Sequence, residues 1–168
     1  LIGRGSTVGE KLLNDKRIPL ISVTGSTRVG KHTAEVVGRR LGNTILELGG
    51  NNAIIITPDA DLKMALPAVV FGSVGTAGQR CTTTRRLIIH ESIYDNFIQA
   101  LKKAYSGLKI GDPMDESNHV GPLIDTGAVE MFTDALDKLK SLGANIICGG
   151  DVLEGANYAS GCYVVPAL

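Results

Sequence analysis

The sequence predicts an α/β fold with a mostly parallel sheet. Short apolar, β-branched segments alternate with segments whose apolar residues recur at helical spacing, which is the element order of parallel sheets. One strand-like segment runs directly into a glycine turn and then a helix, as in phosphate-binding βα units. With 168 residues, of which 43% are hydrophobic and 20% charged, the chain has the composition of a globular domain or of parts of two.

Strands are predicted where short apolar and β-branched runs are bounded by turn-forming residues. Six segments fit this description: residues 18–23, 44–48, 53–57, 86–90, 144–148 and 163–168. Helices are predicted where apolar residues recur every three or four positions. Five segments do so: residues 8–13, 29–41, 62–71, 93–108 and 128–142. We interpret the apolar stripes of the last two helices as core contacts.

Single residues set the expected helix ends. Gly42 suits the C-terminal cap of the second predicted helix, and Gly143 stops the last one. Pro67 should kink or locally break the third helix, because its ring removes a backbone donor. Ser92 is expected to begin the fourth helix.

Composition excludes several classes of partner. The formal net charge is zero, so no field attracts nucleic acid or an anionic membrane. The chain has no Trp for stacking on single-stranded nucleic acid, and no apolar run approaches the ~18 residues of a membrane helix. The three cysteines and three histidines share no metal-ligand spacing, so we expect neither a disulfide framework nor a metal site.

One cysteine stands in a turn of small residues, Gly75-Thr76-Ala77-Gly78-Gln79-Arg80-Cys81-Thr82-Thr83. A thiol buried for packing usually has large apolar neighbours, whereas Cys81 has glycines, hydroxyl residues and a cation nearby. We interpret Cys81 as a nucleophile. A lone cysteine is more often structural, so this interpretation depends on a partner base elsewhere in the chain.

The segment Gly25-Ser26-Thr27-Arg28-Val29-Gly30-Lys31 lies between a predicted strand and a predicted helix. In this layout backbone N–H groups and the helix dipole face an anion. The segment differs from the phosphate loop of nucleoside triphosphatases, because His32 stands where magnesium binding requires a Ser or Thr hydroxyl. A plain strand-to-helix turn is a further alternative.

Three motifs occur in order along the chain: Gly25-Ser26-Thr27-x-Val29-Gly30, Glu47-Leu48-Gly49-Gly50 and Gly78-Gln79-Arg80-Cys81-Thr82. Their order, and the 34 positions that separate Glu47 from Cys81, resemble the aldehyde dehydrogenase superfamily. Residues 47–53 and 74–83 are also similar to its antiquitin branch, which oxidises α-aminoadipate semialdehyde in lysine breakdown. Val23 departs from the family pattern, which commonly has an aromatic residue there.

The resemblance implies oxidation of an aldehyde to a carboxylic acid with NAD, or with NADP, as cofactor. It assigns Cys81 as the nucleophile that forms a thiohemiacetal and then a thioester, and Glu47 as the general base. It implies that Thr82 and Arg80 line the aldehyde pocket. Seven residues would contact the cofactor: Gly25, Ser26, Thr27, Arg28, Val29, Gly30 and Leu48.

The resemblance further implies two domain parts. Residues 1–48 would end a Rossmann-like cofactor domain, and residues 49–168 would begin the α/β catalytic domain. Because the chain has no initiator Met, we expect a segment of a longer enzyme. That enzyme would be a homodimer or homotetramer in the cytoplasm or, in a eukaryote, the mitochondrial matrix. Two alternatives stay open, namely a catalytically inactive fragment and a phosphate-loop-like nucleotide-binding protein.

Overall fold

The structure, a computed structural model, describes residues 2–168 and divides the chain into two compact units, Leu1–Gly50 and Asn51–Leu168. Its α-helices and β-strands, in chain order, are α1 (Glu10–Asn14), β1 (Leu20–Thr24), α2 (Thr27–Arg39), β2 (Asn43–Glu47), β3 (Asn52–Ile56), α3 (Leu62–Val74), β4 (Thr84–Ile89), α4 (Glu91–Ser106) and α5 (Thr126–Ser141).

The first unit is a parallel strand pair joined by a helix. β1 and β2 pair in parallel, with Thr24 opposite Glu47 at their carboxyl ends, and α2 connects them. Its core holds Leu13, Ile21 and Val37, none more than 8% exposed. The packing therefore holds α1 and α2 against β1, and the loop that enters α2 starts where the strands end.

The second unit contains another parallel pair. β3 and β4 pair with Ile54 opposite Leu87, and α3 and α4 pack together beside them. The core side chains of this unit are Ile56, Val69, Phe97 and Leu101. Because both strand pairs are parallel and strands alternate with helices, the predicted α/β class is confirmed.

The C-terminal end of α2 differs from the prediction. The helix stops at Arg39, and Leu41 rather than Gly42 adopts a positive φ, of 60°. The Leu41 N–H donates to the Gly38 carbonyl and the Gly42 N–H to the Val37 carbonyl, which is a Schellman motif. The prediction for Gly42 as the cap is therefore wrong. Gly42 is instead required for space, because a Cβ there would lie 2.8 Å from Val37 Cγ1.

The structure answers part of the prediction for Pro67 and contradicts the predicted start of α4. α3 is continuous from Leu62 to Val74, so Pro67 does not break the helix, and the kink stays a prediction. α4 begins at Glu91 rather than after Ser92. The capping group is the His90 imidazole, whose Nδ1 accepts a hydrogen bond of 3.3 Å from the Ser92 N–H.

Two predicted strands, residues 144–148 and 163–168, are not strands in the described chain. The segments contact each other through a few backbone hydrogen bonds, including one of 2.9 Å from the Leu168 N–H to the Cys148 carbonyl. Gly149 and Gly150 follow with φ values of 72° and 97°. These left-handed residues turn the backbone out of the extended conformation that a strand requires.

The apolar stripes of α4 and α5 have different environments. Phe97 and Leu101 of α4 are buried, which confirms the core prediction for that helix. In α5 only Leu136 is buried, whereas Leu142, which follows the helix, is 74% exposed. The predicted stripe instead borders an open cavity of about 490 Å³ within the second unit, lined by Ala128, Met131, Phe132 and Ala135 among others. The core prediction for α5 is therefore wrong.

We expect Phe97→Ala to lower the free energy of unfolding by about 3–5 kcal/mol, since it empties the centre of the second core. Urea denaturation followed by circular dichroism measures the change. Tyr94→Ala is the matched control, because Tyr94 lies on the same helix and is 45% exposed. Its expected cost is below about 1 kcal/mol. Equal losses in the two variants would contradict the assigned core.

Candidate active site

The cysteine turn follows α3 through a backbone of unusual conformation. Thr76 and Ala77 have φ values of 53° and 52°, and Gly78 has 70°. Consecutive left-handed residues without glycine cost on the order of 1 kcal/mol or more each, and such strain is concentrated at functional sites. The turn delivers Cys81 to the surface, where its side chain is exposed.

The other two cysteines have different surroundings. Cys162 is buried, and its thiol lies 3.4 Å from the Ser160 carbonyl. Cys148 is half-buried, and burial raises the pKa of its thiol, with Lys102 acting weakly in the opposite direction. Of the three cysteines, all within the described residues, Cys81 is the most exposed to a reactant in solution.

The backbone on both sides of Cys81 is held by hydrogen bonds. The Asn52 amide donates to the Cys81 carbonyl at 2.6 Å and to the Thr83 carbonyl at 3.1 Å. The Thr83 N–H donates to the Arg80 carbonyl at 3.1 Å, while the buried Thr83 hydroxyl accepts from the Arg80 N–H at 3.1 Å. The Cys81 N–H has no partner among residues 2–168 and is free to donate.

Arg80 and Thr82, the residues predicted to line a substrate pocket, have different environments. The Arg80 guanidinium donates to the Phe71 carbonyl at 3.1 Å and lies 4.9 Å from the Phe71 ring centroid, a cation–π distance. Arg80 is thus anchored to the end of α3. A side chain at Gly75 would displace this guanidinium. Thr82 is exposed next to Cys81.

Gln79 ties the cysteine turn to a distant loop. Its Oε1 accepts a hydrogen bond of 2.9 Å from the Ile124 N–H, and its Nε2 lies 3.4 Å from the Pro122 carbonyl and 3.3 Å from the Thr76 carbonyl. Sequence reasoning gave no role to Gln79 or to Asn52. The available signal was a polar amide beside the thiol and another at the start of a strand.

We expect Gln79→Leu to speed hydrogen exchange at the Ile124 amide by about tenfold or more, because it removes the acceptor for that amide. Exchange followed by mass spectrometry measures this rate. Gln99→Leu, the same replacement at an exposed position of α4, is the control and leaves Ile124 unchanged. Unaltered exchange in Gln79→Leu would show that this tether does not hold the loop.

In the first unit, Glu47 and the glycine loop are adjacent. Glu47 is the last residue of β2; its side chain is exposed and its carbonyl accepts a hydrogen bond of 2.9 Å from the Gly25 N–H. Leu48 packs onto the buried Gly30, where a Cβ would lie 2.5 Å from the leucine Cδ atoms. A side chain at position 30 would therefore displace Leu48. Leu48, the residue after the predicted base, thus contacts the predicted cofactor loop.

The N-terminus of α2 has the properties of an anion-binding site. The Ser26 hydroxyl caps the helix by accepting from the Val29 N–H at 3.3 Å. The N–H groups of Ser26, Thr27 and Arg28 have no partner within the described chain, and the first turn of α2 contains no acidic residue. Together with the 13-residue helix behind them, these donors suit the pyrophosphate of a dinucleotide.

The same geometry disfavours the triphosphatase hypothesis. His32, the residue after Lys31, lies with its Nε2 2.6 Å from Glu10 Oε1. Thr33, the next hydroxyl, is only 1% exposed and faces the core. Neither position offers a hydroxyl to a magnesium ion at the loop. No group of three or more metal-ligating side chains occurs in the part of the chain that the structure describes.

The predicted site residues fall in different units. Glu47, Leu48 and the glycine loop belong to the first unit, and Arg80, Cys81 and Thr82 belong to the second.

No helix within residues 2–168 has the length and apolar character needed to cross a bilayer.

The comparisons with known proteins agree on one family. A model described as "Aldehyde dehydrogenase family" matches residues 1–168. Aldehyde dehydrogenase family 7 member A1 of Pisum sativum is 47% identical over 164 residues, which cover 98% of this chain and 32% of that protein. Alpha-aminoadipic semialdehyde dehydrogenase of Bos taurus is 46% identical over 164 residues, covering 98% and 30%.

A solved structure, betaine aldehyde dehydrogenase from Staphylococcus aureus in complex with NAD+, superposes with a TM-score of 0.94 at 33% identity. The match covers 99% of this chain and 33% of that one. The chain therefore spans just under a third of the length of the curated relatives it matches. Their names agree with the predicted antiquitin branch, and the superposition confirms the predicted fold.

Proposed function

Because the chain belongs to the aldehyde dehydrogenase family, we propose that it carries the thiol nucleophile and the general base of NAD(P)-dependent aldehyde oxidation. One observation carries this proposal most directly. Cys81 is exposed and its backbone is held on both sides by hydrogen bonds, whereas Cys148 is half-buried and Cys162 is buried. A pinned, accessible thiol is what attack on a carbonyl carbon requires.

In the proposed reaction the Cys81 thiolate adds to the aldehyde carbon and forms a thiohemiacetal. The unpaired Cys81 N–H is available to donate to the oxygen on which negative charge develops. A bound nicotinamide dinucleotide supplies the acceptor for the hydride that leaves this carbon. The acyl group then stays on the Cys81 sulfur as a thioester.

Glu47 is the proposed base for the second half of the reaction. Its carboxylate takes a proton from water, the resulting hydroxide adds to the thioester carbon, and the Cys81 thiolate leaves with release of a carboxylic acid. The position of Glu47 supports this role, because it is exposed at the end of β2. The following Gly49-Gly50 pair gives the backbone freedom to move the side chain.

The cofactor would be held by the start of α2. The free N–H groups of Ser26, Thr27 and Arg28 would bind the pyrophosphate. Gly25 and Gly30 lie at the two ends of this loop and belong to the proposed contacts. The bound NAD+ of the Staphylococcus aureus betaine aldehyde dehydrogenase supports NAD as the cofactor. Val29 and Leu48 complete the proposed cofactor contacts.

We propose α-aminoadipate semialdehyde as the substrate, because the bovine relative is named for that activity. Thr82, exposed beside the thiol, and Arg80, anchored at the end of α3, would border its pocket. The resemblance also favours a homo-oligomer in the cytoplasm or mitochondrial matrix. Size-exclusion chromatography with light scattering and cell fractionation test those two points.

The function is tested on the protein expressed from its complete coding sequence. It is incubated with α-aminoadipate semialdehyde and either NAD+ or NADP+, and cofactor reduction is followed by absorbance. We expect reduction with NAD+; no reduction with either cofactor would contradict the proposal. The 168-residue chain, assayed in parallel, tests the inactive-fragment alternative. ATP hydrolysis that is lost in Lys31→Ala would instead support the phosphate-loop hypothesis.

A further inference from the structure

We propose that Asn52 is a positioning residue for the thiol of Cys81. The inference rests on the proposed function, since it requires Cys81 to be the nucleophile. Asn52 is the first residue of β3, and its amide nitrogen lies 2.6 Å from the Cys81 carbonyl oxygen. The two residues are 29 positions apart, so this bond joins the start of a strand to the distant cysteine turn.

The orientation of the Asn52 amide follows from its partners. Both contacts, to the carbonyl oxygens of Cys81 and Thr83, are with acceptors. Only the NH₂ group of the amide can donate to two carbonyls, so the amide oxygen must point away. A carboxylate in the same place would instead face two carbonyl oxygens and repel them.

Two peptide planes flank Cys81, and each has its own hydrogen-bonding partner. The plane before it carries the Cys81 N–H and is held at the Arg80 carbonyl by the Thr83 N–H, at 3.1 Å. The plane after it is held at the Cys81 carbonyl by Asn52. Fixing both planes restricts φ and ψ of Cys81, and thereby sets the directions of its Cα–Cβ bond, which carries Sγ, and of its N–H. Asn52 supplies the second of these constraints.

The strand pairing is irregular where Asn52 lies. Asn52 pairs with Thr84 but Ala53 pairs with Arg86, so Arg85 is an extra residue on β4. β-Bulges of this kind re-aim side chains and occur next to active sites. The extra Arg85 donates to the Gly78 carbonyl at 3.1 Å, so the irregularity also contacts the cysteine turn.

The chemical consequence is specific. Attack on an aldehyde needs Sγ and the N–H donor aligned on the same carbonyl group, whereas alkylation of an exposed thiol by iodoacetamide needs no such donor. Loss of the Asn52 amide should therefore slow aldehyde oxidation far more than alkylation. An aldehyde would still bind, because Asn52 itself contacts only backbone.

The experiment compares Asn52→Ala and Asn52→Asp with Asn51→Ala and Asn51→Asp, in the protein expressed from its complete coding sequence. The Asn51 side chain makes no hydrogen bond within the described residues, so the neighbouring pair controls for composition and charge. We expect kcat with NAD+ and α-aminoadipate semialdehyde to fall about 10- to 100-fold in the Asn52 variants alone. The KM for the aldehyde and the iodoacetamide rate at alkaline pH should stay close to those of the parent.

Two outcomes would overturn the inference: an unchanged kcat in both Asn52 variants, or a parallel loss of turnover and alkylation, which indicates general damage to the turn. Circular dichroism and thermal unfolding check folding, and Asn52→Asp, which keeps the side-chain shape, serves if the alanine variant fails to fold.

Cys81→Ser separates this inference from the proposed function. If Cys81→Ser keeps its turnover, the proposed function itself is contradicted. If Cys81→Ser is inactive while the Asn52 variants have normal turnover, only the positioning role of Asn52 is contradicted.

Discussion

Replacing Cys81 with alanine is expected to abolish aldehyde oxidation, with a loss of at least about 10⁴-fold in kcat. The reason is that no other group of the cysteine turn can form the covalent bond to the carbonyl carbon. The Thr82 hydroxyl is exposed, but an alcohol is a far weaker nucleophile than a thiol unless a base activates it. Thr83 is buried, and its oxygen already accepts from the Arg80 N–H. The initial rate of cofactor reduction measures the loss, and circular dichroism shows that the variant is folded.

Cys148→Ala is the matched control for this experiment. Cys148 lies in the same unit and is half-buried, and burial raises the pKa of its thiol, so it should be a poor nucleophile at neutral pH. We expect this variant to keep the parent rate. A Cys81→Ala protein with parent activity, or an inactive Cys148→Ala protein that is folded, would show that the wrong thiol has been assigned.

Glu47→Gln is expected to lower kcat by about 10²- to 10⁴-fold and to leave the first turnover intact. If Glu47 activates the hydrolytic water, acyl transfer to Cys81 proceeds without it and only the release of product slows. Rapid mixing with NAD+ and α-aminoadipate semialdehyde should therefore give a burst of reduced cofactor close to the active-site concentration, followed by a slow steady rate.

Glu35→Gln controls for the loss of one carboxylate in the same unit. Glu35 is an exposed residue of α2 whose partner is Arg39 four positions later, and surface pairs of this kind contribute little. Its steady-state rate should equal that of the parent. If Glu47→Gln shows no burst, Glu47 is needed for the first step, the activation of the thiol. If its kcat is unchanged, Glu47 takes no part in the mechanism.

The order of strands and helices could be predicted from the sequence, and the three motifs could be recognised in it, because both depend on local information. A strand, a glycine turn and an amphipathic helix are each recognisable within about ten residues. The glycine loop illustrates this. Ser26 caps α2, and the buried Gly30 lies directly against the Leu48 side chain.

The contacts that organise the cysteine turn could not be predicted from the same local patterns. The bond from Asn52 to Cys81 joins residues 29 apart, and that from the Ile124 N–H to Gln79 joins residues 45 apart. Both are side-chain to backbone bonds, for which hydrophobic periodicity carries no signal. Only the folded chain shows which amide reaches which carbonyl.

The wrong predictions about the helices have a related cause. A helical stripe identifies the apolar face of a helix but does not identify what covers it, which is why Phe97 is buried while Leu142 is exposed. The end of α2 depends on space rather than on propensity. Leu41 takes the left-handed position of the Schellman turn, and a Cβ on the following Gly42 would lie 2.8 Å from Val37 Cγ1.

The central claim is that Cys81 carries the substrate as a thioester. Peptide mass spectrometry after acid quenching tests it directly, in the Glu47→Gln protein expressed from its complete coding sequence and mixed with NAD+ and α-aminoadipate semialdehyde. We predict an added mass equal to the acyl group on the peptide that contains Cys81, dependent on NAD+ and absent in the Cys81→Ala, Glu47→Gln double variant. An adduct on Cys148 or Cys162, or turnover with no adduct on any cysteine, would contradict the claim.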